Sequence, residues 1–176
     1  AAWTEKTSDG GKDGETGGDN WENPFKDVKA EDWFGKYVEY VSEKGLMNGT
    51  DGENFEPEGA LSRAMLVTVI WRAENKPQSN NVICFSDVDL NGYYAEAVRW
   101  AVSAGIVKGV SETEFAPNES ITREQMAAII FRYAKYKGIA PEGEWAIRLD
   151  YADLGEISDY AAEAVMYCGL KEIMQG

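Results

Sequence analysis

"GALSRAMLVTVIWRAE" (residues 59–74) and "ESITREQMAAIIFRYA" (residues 119–134) are two renderings of one pattern. Each places a hydroxyl residue, Ser62 or Thr122, directly before an arginine, Arg63 or Arg123. An apolar stripe at helical spacing follows: Leu66, Val69, Ile70 and Ala73 in one, Met126, Ile129, Ile130 and Tyr133 in the other. Ser and Thr are favoured at a helix N-cap because the side-chain oxygen accepts from an otherwise unpaired backbone N–H. Thr122 has Gln125 three residues on, which predicts a capping box; Ser62 has Met65 there, which leaves a simple cap. Leu61 and Ile121 stand before the caps, placed to staple onto Leu66 and Met126. Both stretches thus predict a helix with an exposed arginine in its first turn. The helix dipole already makes that end positive, so a cation there calls for an anion.

Working outward, the stretches around them repeat as well. "FKDV" at 25–28 returns as "FSDV" at 85–88, "GLMNG" at 45–49 as "GIVKG" at 105–109, and "FEPEGALSR" at 55–63 as "FAPNESITR" at 115–123, each 60 residues on (Phe25 to Phe85, Gly45 to Gly105, Arg63 to Arg123). A third copy begins: "YADL" at 151–154 resembles "FSDV", and "YAAEAVMYCGLKEIMQG" at 160–176 follows "YYAEAVRWAVSAGIVKG" at 93–109. In that register Glu172 takes the place of Gly45 and Gly105, and no second half is present. Each full copy reads as helix, loop, helix. The first helix carries Val38, Val41, Ser42 and Gly45, or Val98, Ala101, Val102 and Gly105, with the glycine closing it in the left-handed conformation. Phe55 plugs the loop and Pro57 stiffens its exit. One hairpin buries too little to stand alone, so neighbouring copies must complete the core. The organisation expected is a Gly- and acid-rich linker over 1–24, in which Trp3 and Trp21 could dock, modules over 25–80 and 81–140, and a partial third over 141–176. Its helix over 160–170 would pack on the earlier modules and leave an apolar remainder that promotes a homodimer.

Composition narrows function. The 176 residues carry 31 acids against 17 bases, a formal charge of −14, with 44% hydrophobic residues and no histidine. This balance argues against nucleic acid and anionic membrane as partners. Lack of histidine removes the commonest general base and transition-metal ligand. The two cysteines, Cys84 and Cys168, leave open one bond or two buried thiols. "DGENFE" at 51–56 does not meet the calcium-loop pattern, so neither metal nor cofactor is expected. No apolar run reaches the roughly 20 residues of a membrane span, and the start "AAWTEKTSDGG" does not read as a signal peptide.

The ordered set "F-x-D-V", "G-[IL]-x-x-G", "F-x-P" and "[IL]-[ST]-R" resembles the S-layer homology family. The resemblance covers 25–134 as two modules and 151–176 as part of a third. It implies an all-α fold of tandem helix–loop–helix repeats in a pseudo-threefold bundle. It implies a non-catalytic module of secreted bacterial proteins that binds an anionic, often pyruvylated, secondary cell-wall polysaccharide in grooves between modules. The ligand-contacting arginines would be Arg63 and Arg123, whose planar donor fork matches a carboxylate. "LSRAM" departs from the usual "ITRAE", which predicts the weaker groove at Arg63. Ser62 and Thr122 are caps beside those grooves. Asp27 and Asp87 either cap a turn or touch sugar, and Gly49 and Gly109 either serve turns or admit sugar to bare backbone. Trp33, Trp71 and Trp100 sit at core-like spacing, and an indole edge could also stack on a sugar, Trp100 foremost. Two other classes stand beside this reading: a structural helical repeat mediating protein contact or S-layer self-assembly, and a hydrolase using Asp150 and Asp153. For the hydrolase no nucleophile–base pair speaks.

Overall fold

A computed structural model describes residues 21–141, 151 and 154–174 of the chain. The linker expectation over 1–20, Trp3, and the acids Asp150 and Asp153 lie outside the described residues. The fold is all-α: α1 (Gly35–Glu43), α2 (Arg63–Ala73), α3 (Ala95–Ser103), α4 (Arg123–Tyr136) and α5 (Ala162–Leu170), with a short 3-10 turn at Leu154–Glu156. No strand occurs among the described residues; a single antiparallel bridge joins Ser62 and Ser120. The backbone forms two compact units, Ala1–Gly59 and Ala60–Gly176.

The first unit is built on a small core of Phe25, Val28 and Val38, against which Trp21, Phe34 and Phe55 pack. The Phe25 and Phe55 rings meet edge to face at 5.2 Å. Asp27 fastens this arrangement. One carboxylate oxygen accepts from Phe55 N at 2.8 Å and the other from Glu56 N at 2.7 Å. Glu56 needs this help, because its φ of 58° is left-handed and it is not glycine. Gly49 is required by close approach: a Cβ there would come within 2.4 Å of Asn54 O and 2.7 Å of the Phe25 ring. α1 leaves Tyr37 and Tyr40 exposed.

The second unit repeats the same local solution. Asp87 accepts from Phe115 N at 2.9 Å and Ala116 N at 2.7 Å, and Ala116 takes φ 57°. Gly109 sits under Phe85 as Gly49 sits under Phe25. Asp27 and Asp87 are therefore turn clamps. Around this lies a core of Ala64, Val67 and Ile70 from α2, Ala97, Val98, Trp100 and Ala101 from α3, and Ile106, Val107, Phe115 and Ile129. A second cluster joins Ala127, Ala128, Phe131 and Ala134 of α4 to Ala164, Tyr167 and Cys168 of α5, with Met174. The helix pairs are thus α2 on α3 and α4 on α5. The second helix of each copy packs on the first helix of the next.

Several expectations change here. The buried stripe of α2 is Ala64, Val67, Thr68 and Ile70, one step from the predicted Leu66–Val69–Ile70–Ala73 face. α4 is apolar on two sides, because Ile129 faces one cluster and Ala127, Ala128 and Phe131 the other. Thr122 accepts from Gln125 N at 3.2 Å, but Gln125 Oε1 is buried without a partner, so the capping box is not closed. Both cysteines are free, and Cys84 is exposed rather than buried. Burial pushes the Cys168 thiol up to about 11. Helix ends follow the register: Gly45 (φ 64°) and Gly105 (φ 71°) close α1 and α3, and Glu172 takes the same left-handed conformation (φ 55°) after α5.

Candidate functional site

α2 begins with its donors already engaged. Arg63 N donates to Glu119 O at 3.1 Å, Ala64 N to Pro117 O at 3.0 Å, and Met65 N to the Ser62 hydroxyl at 3.2 Å. The helix N-terminus therefore offers no free backbone N–H in its first turn, and an anion near it must be held by side chains. This alters the expectation drawn from the dipole.

Arg63 itself is buried, with 5% of its surface exposed. Its Nε donates to Phe115 O at 2.8 Å and Nη2 to Lys108 O at 3.0 Å, and the guanidinium lies 4.9 Å from the centre of the Phe115 ring. These bonds engage two of five N–H donors. Burial, and after it the positive charge of Arg132, lower its pKa; the side chain stays cationic. Arg63 lines a cavity of about 430 Å³ with Lys108, Gly109, Gln125, Arg132 and Tyr160 among its walls. Val110, Ala128 and Ile129 add apolar surface, and no acid lines it among the described residues. A chain of charge −14 has thus placed three cations around one opening.

Tyr160 is held there by Glu124. That carboxylate accepts from Ser158 N at 3.1 Å, the Ser158 hydroxyl at 3.3 Å and the Tyr160 hydroxyl at 2.9 Å. The Ser158 backbone bond leads the causes that lower the Glu124 pKa. The start of the third copy is therefore pinned to α4.

The two arginines of the repeated motif are not equivalent. Arg123 is exposed, while Arg63 is buried. Trp33 is 47% exposed in the turn before α1 and meets Phe34 edge to face at 5.5 Å. Trp71 is half-buried and donates to Pro77 O at 2.9 Å. Trp100 is only 4% exposed and meets Tyr136 at 5.7 Å; it is a core residue with no ring face left to stack on a sugar. The sequence reading missed Lys108, Arg132 and Tyr160. The register carried a signal for each: Lys108 lies within "GIVKG", Arg132 repeats Arg72, and Tyr160 repeats Trp33 and Tyr93. All three aromatics of that position are exposed.

Residues 24–64 and 85–127 each match the family model described as the S-layer homology domain. The chain carries two S-layer homology modules. Its relatives include an endoglucanase of Bacillus sp. (strain KSM-635), 35% identical over 156 residues, spanning 87% of this chain and 16% of that protein. A cellulosome-anchoring protein of Acetivibrio thermocellus is 29% identical over 126 residues, 69% of this chain and 28% of that protein. The S-layer protein sap of Bacillus anthracis is 33% identical over 107 residues, 60% of this chain and 13% of that protein. The chain thus spans less than a third of each of these relatives. The S-layer homology modules end short of α5, which packs against the second of them. Among the described residues no cluster of acids or cysteines could hold a metal, and no helix is long and apolar enough to cross a membrane.

Proposed function

We propose that this chain is a non-covalent anchor that holds a secreted protein on the bacterial cell wall by binding an anionic, pyruvylated wall polysaccharide. It acts by binding, without catalysis of its own. The observation that carries the proposal is Arg63, a buried guanidinium with donors to spare at the wall of a cationic cavity. A pyruvyl ketal presents a carboxylate on a sugar, which is what such a donor set recognises. Family membership supports the same role, since one relative is named for anchoring and another for the S-layer.

Within this reading Arg63 is the main contact, with Lys108 and Tyr160 beside it, which reverses the expectation of a weaker groove at Arg63, because it is Arg63 that lines the cavity. Arg123 and Trp33 are further contacts on exposed surfaces. Ser62 and Thr122 cap the helices that present the arginines, Asp27 and Asp87 fix the loops, and Gly49 and Gly109 let those loops close. The acidic remainder of the surface does not oppose binding, because salt screens charges beyond about 8 Å. Leu170 and Ile173, exposed around the end of α5, support self-association of the chain. Sedimentation of Leu170→Lys beside the parent protein tests that part.

The anchoring test is a pull-down on purified wall sacculi before and after removal of pyruvate. Retention should be strong before and largely lost after. Equal retention on both would remove the carboxylate from the proposal, and no retention on either would remove the anchor.

A further inference from the structure

Arg132 stands outside the repeated hydroxyl–arginine motif, three turns into α4, yet it lines the same cavity as Arg63. The two positive charges are near enough for Arg132 to disfavour the charged form of Arg63. Like charges brought together in a partly dry site destabilise a fold unless something neutralises them. Of the 31 acids in the chain, none among the described residues comes within ion-pair distance of either guanidinium. Elsewhere the same protein does pair its cations, as Lys137 with Glu74 and Lys135 with Glu163. The nearby wall also holds the buried, unpartnered Oε1 of Gln125. Two polar groups of this wall thus lack a protein partner among the described residues: the Arg132 guanidinium, a donor suited to a carboxylate, and Gln125 Oε1, an acceptor suited to a sugar hydroxyl.

We propose that Arg132 is a specificity-determining residue of this cavity: with Arg63 it forms a two-guanidinium cradle for one carboxylate, and so selects acid sugars over their neutral counterparts. This rests on the anchoring function proposed above. The division of labour is physical. Arg63 must also hold the carbonyls of Lys108 and Phe115, so part of its donor set is engaged. Arg132 has no such bond to the described residues and can give its whole fork to the ligand. Two guanidiniums on one carboxylate also make binding fall more steeply with salt than one does.

The test uses the full chain and calorimetric titration with two probes: a methyl glycoside bearing a 4,6-pyruvate ketal, and the methyl ester of the same ketal. Arg132→Gln should weaken binding of the acid at least tenfold and bring it level with the ester. It should flatten the salt dependence and leave the melting temperature unchanged or raised, because a repulsion is relieved. Arg132→Lys should fall between, keeping charge without the fork; it also stands in should the glutamine variant lose its cooperative melt. A folded Arg132→Gln that keeps the parent preference for acid over ester overturns the proposal. So does an equal loss for acid and ester. If Arg63→Lys then still abolishes binding of the acid, the anchoring site survives without Arg132; if the parent chain binds neither probe, the anchoring reading and this one fall together.

Discussion

Arg63 and Arg123 occupy the same place in the repeat and have different jobs. Arg63 is buried against Phe115 and bonded to two loop carbonyls, whereas Arg123 lies on the surface. Arg63→Ala should therefore cost about 2–4 kcal/mol of stability, because it strands two buried carbonyls as well as removing the cation. Arg123→Ala should cost less than about 1 kcal/mol. Urea melts of both variants check this, and equal costs would mean that burial of Arg63 contributes nothing. Glu172 offers a second comparison. It adopts the left-handed conformation that Gly45 and Gly105 supply at the other two helix ends. An L side chain is strained there, so Glu172→Gly should stabilise the protein by about 1 kcal/mol. Gly105→Ala should destabilise by a similar amount, and since nothing lies within 4 Å of a Cβ at that position, the cause would be backbone conformation alone.

At the scale of elements, the loop of each module is fastened by one carboxylate. Asp87→Ala removes two backbone bonds to a charged acceptor and should cost about 2 kcal/mol, with Asp87→Asn recovering part. The acid response follows from the same geometry. The Phe55 backbone N–H leads the causes that hold the Asp27 pKa below its ordinary 3.8. A group with a depressed folded pKa stabilises fully above the unfolded value and loses that contribution as pH falls through the folded one. The first unit should therefore hold unchanged from neutrality to about pH 4 and loosen below it, followed by Trp21 fluorescence. An alkaline counterpart sits between α2 and α4. Tyr133 donates to Glu74, and burial followed by that bond pushes its pKa up to about 12. Its contribution is present below the ordinary value of 10 and is lost as pH rises through about 12. Tyr160 and Tyr167 are raised as well, so absorbance titration of the phenolates should show a late-ionising group of tyrosines, and Glu74→Gln should bring the Tyr133 part of it earlier.

At the scale of the whole molecule, the structural units and the sequence modules do not coincide. The division falls after Gly59, inside the first module, and α2 belongs to the core that α3 completes. A fragment of residues 60–176 should therefore keep the main cooperative melt, while the smaller core of Phe25, Val28 and Val38 should give an earlier, weaker transition. A single transition lost on cutting at Gly59 would refute this. The repeat register was enough to find the order of the helices among the described residues, the two caps, the closing glycines and the paired arginines, because those depend on neighbours in sequence: hydrogen bonds to nearby backbone and a fixed helical period. It also held the family. What it could not decide was which arginine would be buried, that α4 would serve two cores, that Trp100 would be sealed and Tyr160 left open, or that Lys108, Arg132 and Tyr160 would meet Arg63. Those outcomes depend on which helix packs against which. The packing is set by the joint burial of faces contributed by successive copies, and a periodic pattern within one helix carries no record of the partner that will cover it.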